Sequence, residues 1–165
     1  MAKERARFAS AVHLFLVRRG EILLTRRCNT GYQDGNYSVV AGHLDGDEPV
    51  VSATIREARE EVAITLEPAD LTVVGVMHRR EGDERIDFFL TAERWRGEIV
   101  NAEPERCDDL AWFPLDDLPA NTVPYVARAI ENFRRGVWFD AFGWDGDQRS
   151  VYNAPPAADN DRERT

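Results

Sequence analysis

Cysteine is nearly absent: Cys28 and Cys107 are the only two in 165 residues, and neither belongs to a Cys-x-x-Cys pair. That is too few for a disulfide scaffold or a thiolate zinc site. Long apolar runs are missing as well. No stretch approaches the roughly 20 residues that a membrane span needs, and Met1 to Arg7 is polar with no signal-like apolar segment behind it. A cytoplasmic protein with no membrane partner is therefore expected. Basic residues are outnumbered, 21 Lys and Arg against 30 Asp and Glu, for a formal charge of −9. This balance argues against affinity for a nucleic acid polymer or an anionic membrane, since both call for a basic surface. A phosphate-bearing small molecule would be repelled by the same field unless a cation or a local basic patch offsets it. The acidity thus already points to a metal if the substrate is a phosphate ester.

What is present suffices for one domain with a core: 43 % of the residues are hydrophobic. The expected domain covers 1–152. Residues 153–165, rich in Pro, Ala, Asp, Asn and Arg, read as a disordered tail. Strands are expected at Ala9–Val17, Ile22–Thr25, Tyr37–Ala41, Leu71–His78, Arg85–Ala92 and Leu110–Pro114, with a turn at Arg18 to Glu21. Gly42 to Glu48 reads as a loop. A helix then runs to about Val62, with Pro49 as its first residue and Asp47 or Glu48 as its cap. A second helix, Pro124 to Arg135, places Val126, Ala129, Ile130 and Phe133 on one side. The fold class is α/β (α+β).

On a helical wheel Val51, Ile55, Ala58 and Val62 form an apolar stripe, while Glu57, Glu60 and Glu61 gather on another face. The three acids stand at i, i+3 and i+4, where side chains meet and like charges repel. Arg56 precedes Glu60 by one turn and is placed to pair with it or with Glu48. The remaining charge suits Mg²⁺, a hard cation that takes oxygen ligands.

Glu-rich helices are commonly no more than solvated faces, and here the spacing decides otherwise. Gly42, Glu48, Arg56, Glu57, Glu60 and Glu61 occupy all six fixed positions of a glycine, five residues, a glutamate, seven residues, then Arg-Glu, two residues, Glu-Glu. A chance match at a given start is on the order of one in ten million at ordinary residue frequencies. The segment resembles the box of the Nudix hydrolase family. One departure follows it: Ala63 stands where the family has a glycine, which usually serves a left-handed turn.

The resemblance implies a mixed β-sheet sandwiched between helices, and a Mg²⁺-dependent enzyme (Mn²⁺ as a substitute) that cuts a diphosphate bond. It implies Gly42, Glu57, Glu60 and Glu61 as metal ligands, with Glu60 or Glu61 also handling the attacking water and Arg56 and Glu48 bracing the box. A further acid from a later loop is expected at Glu103 or Glu105. Within the family the chain is similar to the MutT-like nucleoside triphosphate pyrophosphohydrolases. The downstream proline of ADP-ribose enzymes, the tyrosine of dinucleoside polyphosphate enzymes and the Ser-Gln-Pro-Trp run of NADH-type enzymes are all missing. An ADP-ribose or nucleotide-sugar pyrophosphatase and a non-catalytic nucleotide-binding regulator are the alternatives. Arg26 and Arg27, beside the loop Gly31–Gly35, are candidate phosphate clamps. His78, Arg79 and Arg80 are weaker ones. Phe88 or Phe89 is a candidate contact for a base, with core packing the alternative for each. The aromatic group Trp138, Phe139, Phe142 and Trp144 is expected to fold back on the domain or to form a dimer contact. A monomer and a homodimer both stay open.

Overall fold

The computed structural model describes residues 5–145; the tail expected at 153–165 lies outside them. The chain begins with β1 (Ala9–Arg18) and β2 (Glu21–Arg27), an antiparallel hairpin in which Arg18 faces Glu21. The two residues between them, Arg19 and Gly20, both have positive φ, 48° and 81°. That is the turn geometry whose twist matches paired strands.

The single strand expected at Tyr37–Ala41 is divided. β3 (Tyr37–Ser38) pairs with β2, whereas β4 (Val40–His43) crosses to pair with β1. Gly42 and His43 are consequently strand residues rather than loop, fixed opposite Val12 and Ala11. α1 (Val50–Val62) starts one residue later than expected: Pro49 is its extended N-cap, and no side chain caps the helix. Glu48 is not available as a cap, because it accepts hydrogen bonds from Arg56 and from the Asp45 amide. At the other end Ala63 takes the left-handed conformation, φ 59° and ψ 23°, despite its Cβ.

β5 (Thr72–Glu81) and β6 (Asp83–Ala92) form a hairpin closed at Gly82, so both strands run further into the charged segment between them than the expected bounds His78 and Arg85. β7 (Cys107–Pro114) lies against β2, and α2 (Pro124–Arg135) matches its expected bounds. β8 (Phe139–Phe142) was not foreseen. It adds to β5 in parallel, which is how the aromatic segment folds back.

The sheet runs β3-β2-β1-β6-β5-β8, with β4 also on β1 and β7 also on β2. β1–β6 and β5–β8 are parallel and the other pairs antiparallel, so the sheet is mixed. Alternation along β1 sorts the core onto two faces. Phe15 and Val17 pack with Val126, Ala129 and Ile130 of α2, whereas Leu14 and Leu16 pack with Ala58 and Val62 of α1. The sheet is therefore sandwiched between the helices. Among the described residues no helix is long and apolar enough to cross a membrane.

Candidate active site

The loop before α1, the C-terminal half of α1 and strand β4 bring the conspicuous acids together around Arg56. Its guanidinium donates from Nη2 and Nε to both Glu48 oxygens (2.7 and 3.3 Å), and from Nη1 to Glu57 Oε1 (2.6 Å). Glu60 lies 3.5 Å from Nη1, and Nη2 also reaches the His43 carbonyl at 3.1 Å. Arg56 thus ties loop, strand and helix into one unit. The Glu48 carboxyl is held below the usual range by its hydrogen bond from Arg56. Burial pushes Glu57 upward, and Arg56 offsets that only in part.

Glu61 is the most perturbed acid. Burial, and then the charge of Glu57, raise it to about 8, while a 3.4 Å contact from the Ala41 amide works the other way. Gly42 is required by crowding rather than by its dihedrals. A Cβ there would fall 1.8 Å from Glu57 Oε1. The glycine lets the carboxylate come against the strand backbone.

A cavity of about 380 Å³ opens in front of this group, and Gly42, Glu57, Glu60 and Glu61 line it. Glu103 lines it as well, whereas Glu105 does not. The Glu103 loop is tied to the end of α1 by the Ala102 amide, which donates to the Glu61 carbonyl at 3.0 Å. Asn101 fixes it further, accepting from the Glu103 amide and donating to the Cys107 carbonyl.

Of the expected substrate residues, Arg79 lines the cavity and so does Arg27. It is oriented by hydrogen bonds to the Tyr32 carbonyl (2.8 Å) and Thr30 Oγ1 (3.0 Å). Arg26 is engaged elsewhere, donating to Asp108 at 2.7 Å. Phe88 lies on the α1 face, packed against Val12, Ala53 and Leu90, and is not part of the cavity wall. Phe89 is core on the other face.

The sequence reading passed over much of the remaining wall: His13, Tyr32, Arg85, Arg106 and Tyr125, along with Arg79, which it ranked low. A signal was present for two buried members of this region. His13 interrupts an apolar strand and Asp87 a β-rich one, and buried polar groups in strands need a reason. Arg79 Nε donates to Asp87 Oδ2 at 2.6 Å and Nη1 to Glu81 at 2.9 Å, with the guanidinium 3.8 Å over the Tyr125 ring. Burial opposes the charge on Arg79, yet Asp87 keeps it firmly protonated. Burial lowers His13 to about 4.

The donor chemistry of the acidic end fits a divalent cation, as the Gly42 cradle and the clustered carboxylates show. As the side chains stand, no three His, Cys, Asp or Glu groups among the described residues converge closely enough to hold a metal ion. Arg56 occupies Glu57 and approaches Glu60.

The NUDIX domain family matches residues 7–133. The chain belongs to the Nudix family. A solved MutT NUDIX hydrolase from Burkholderia pseudomallei is similar to this Nudix chain, with a TM-score of 0.70 and 31 % identity, covering 76 % of this chain and 98 % of that one. Among curated proteins, the NAD-capped RNA hydrolase NudC of Stutzerimonas stutzeri (strain A1501) is 34 % identical over 110 residues, 65 % of this chain and 37 % of that protein. Its counterpart in Pseudomonas aeruginosa (strain LESB58) is 37 % identical over 107 residues, covering 64 % and 36 %. The Nudix chain spans little more than a third of the length of these curated relatives. Their name sits badly with the expectation that no nucleic acid polymer is a partner.

Proposed function

We propose that the chain hydrolyses a nucleoside triphosphate to a nucleoside monophosphate and pyrophosphate, consuming one water. The observation that carries this reading is the sharing of one cavity by the box carboxylates and two arginines, Arg27 and Arg106. Among the described residues, neither arginine forms an ion pair with a carboxylate. Unpaired guanidiniums facing a group of acids suit a phosphate chain whose charge is shared between protein cations and a metal.

In this reading Glu57, Glu60 and Glu61, with the Gly42 carbonyl and Glu103, hold Mg²⁺, and the same oxygens accept Mn²⁺. Bound there, the cation would supply charge against the phosphates and lower the pKa of an attacking water. Glu60, the more exposed of the box acids, or Glu61 orients that water and takes its proton. Arg56 and Glu48 brace the box, while Arg27 and Arg106 hold the phosphates in line. Catalysis is positional and electrostatic.

A second reading is a dinucleotide of the NAD type, free or at an RNA end, and it rests on the names of the curated relatives. The missing Ser-Gln-Pro-Trp run weighs against it, and the net charge of −9 weighs against its RNA-end form. A screen with Mg²⁺ separates the two, reading pyrophosphate from nucleoside triphosphates and AMP from NAD and ADP-ribose. Pyrophosphate release that vanishes in Glu60→Gln supports the triphosphate reading. AMP from NAD without pyrophosphate from any triphosphate overturns it. Tight nucleotide binding without turnover would leave only a binding role.

A further inference from the structure

Arg79 is 3 % exposed, yet it lines the cavity. Two of its three nitrogens are committed, Nε to Asp87 and Nη1 to Glu81. Nη2 has no hydrogen-bond partner among the described residues. It is also not among the sealed polar atoms without partners, which are His13 Nε2, Asp87 Oδ1 and Asn132 Oδ1. Since Arg79 lines the cavity, this nitrogen is the donor it has left for a ligand there.

The charge around it is unlike that around Arg27 and Arg106. One guanidinium meets two carboxylates, Asp87 and Glu81, and stacks on Tyr125. The neighbouring His13 stays neutral near pH 7. Arg85, opposite Arg79 in register, is likewise paired, with Asp83 at 2.5 Å. An anion gains little from a cluster whose cations are already neutralised. A neutral acceptor loses nothing, since a guanidinium donates only and cannot accept. The strand order β4-β1-β6-β5 separates this group from the Gly42 strand by three steps, about 14 Å at the usual strand spacing. Phosphates at the box would therefore leave the base end of a nucleotide near Arg79.

We infer that Arg79 is a specificity-determining residue whose Nη2 reads a neutral carbonyl oxygen on the ligand's ring system and rejects an amino group in its place. The inference rests on the nucleotide reading of the cavity but not on which bond is cut. The carbonyl has two possible sources: the ring carbonyl of an oxo-base, or the carboxamide of a pyridine nucleotide. Asp87 and Glu81 act as positioning residues, fixing the plane of the guanidinium. Tyr125 supports its face.

Equilibrium binding to the full chain, measured by calorimetry without added metal, tests this with IMP, AMP and nicotinamide mononucleotide. IMP and AMP differ on the base in the carbonyl or amine that would face Nη2. The expected result is IMP binding about tenfold or more tighter than AMP. That ratio should collapse to within about twofold in Arg79→Lys, which keeps the charge and loses the planar fork. Tight nicotinamide mononucleotide with weak IMP also supports the subsite and assigns the carbonyl to a carboxamide. AMP equal to or tighter than both carbonyl ligands overturns the inference. So does a carbonyl preference that survives Arg79→Lys, or failure of all three to bind. Should Arg79→Lys not fold, the wild-type ratios decide alone. A carbonyl preference with no triphosphate turnover would sink the triphosphate reading and leave the subsite standing.

Discussion

The cavity has two charged ends, and they are built on different plans. At the box end, one arginine is set among Glu48, Glu57 and Glu60, with Glu61 and Glu103 beside them. Acid is in excess, and Glu61 is raised to about 8 by burial and by Glu57. At the β5–β6 end, Arg79 is bonded to Asp87 inside the sheet and braced by Glu81 and Tyr125. The first arrangement leaves acid in excess of its one arginine. In the second the permanent cation is a side chain, fixed by its partners and almost wholly buried. Excess acid near a surface permits binding and release, whereas a sealed pair gives fixed geometry at a high desolvation cost.

The sharpest way to break this contrast is at the box. Glu61→Gln or Glu60→Gln should lower kcat by on the order of 10²–10³, since either removes an oxygen proposed to hold the cation and to take the proton of the attacking water. Melting temperature without metal should hold or rise. Unchanged turnover in both variants would mean that the acids are merely a solvated face. At the other end, Asp87→Ala should cost about 3–5 kcal/mol of unfolding free energy in urea titration, because Arg79 is left buried with Glu81 alone. A loss below about 1 kcal/mol would show that this cluster is as open as the first.

His13 gives the contrast a pH signature. Its folded pKa of about 4 lies below the ordinary 6.5, chiefly through burial, with Asp87 raising it and Arg79 and His43 lowering it further. The unfolded chain therefore takes up the proton more readily between these values. Stability is full above about pH 6.5 and falls as pH drops toward 4, by about 3 kcal/mol from this group. His13→Phe should lose about 2 kcal/mol of acid sensitivity when urea unfolding at pH 7.5 and pH 5 is compared. An unchanged pH slope would refute it. Gly42→Ala should reduce metal affinity by roughly 10- to 100-fold, because the new Cβ displaces the Glu57 carboxylate; titration with Mn²⁺ would detect it. The smallest effect is expected at the helix exit. Ala63→Gly should stabilise by about 0.5–1 kcal/mol, since φ is already 59° there. A loss of stability would show that the alanine methyl is needed for packing.

The box was legible because its chemistry is local. Six residues on one short stretch of strand, loop and helix carry the acids, the bracing arginine and the glycine, and a helical repeat is enough to show which of the helical ones share a face. α2 was legible for the same reason, being set by its own apolar repeat. The division of Tyr37–Ala41 into two strands was not, because the choice between β1 and β2 as partner is made across the sheet. β8 was hidden too, since a short aromatic run after a helix carries no strand period until β5 offers its edge.

The sequence by itself determined the charge, the box and the acids that a cation would join. It also determined the two helices, through spacings along one stretch of chain. Only the tertiary structure decided that Arg27 faces the cavity while Arg26 turns to Asp108, and that Phe88 lies on the opposite face. It alone joined His13, Arg79, Asp87 and Tyr125, which come from three strands and a helix. Strand pairing and the in–out alternation of each strand set those neighbours, and both depend on partners far away in the chain.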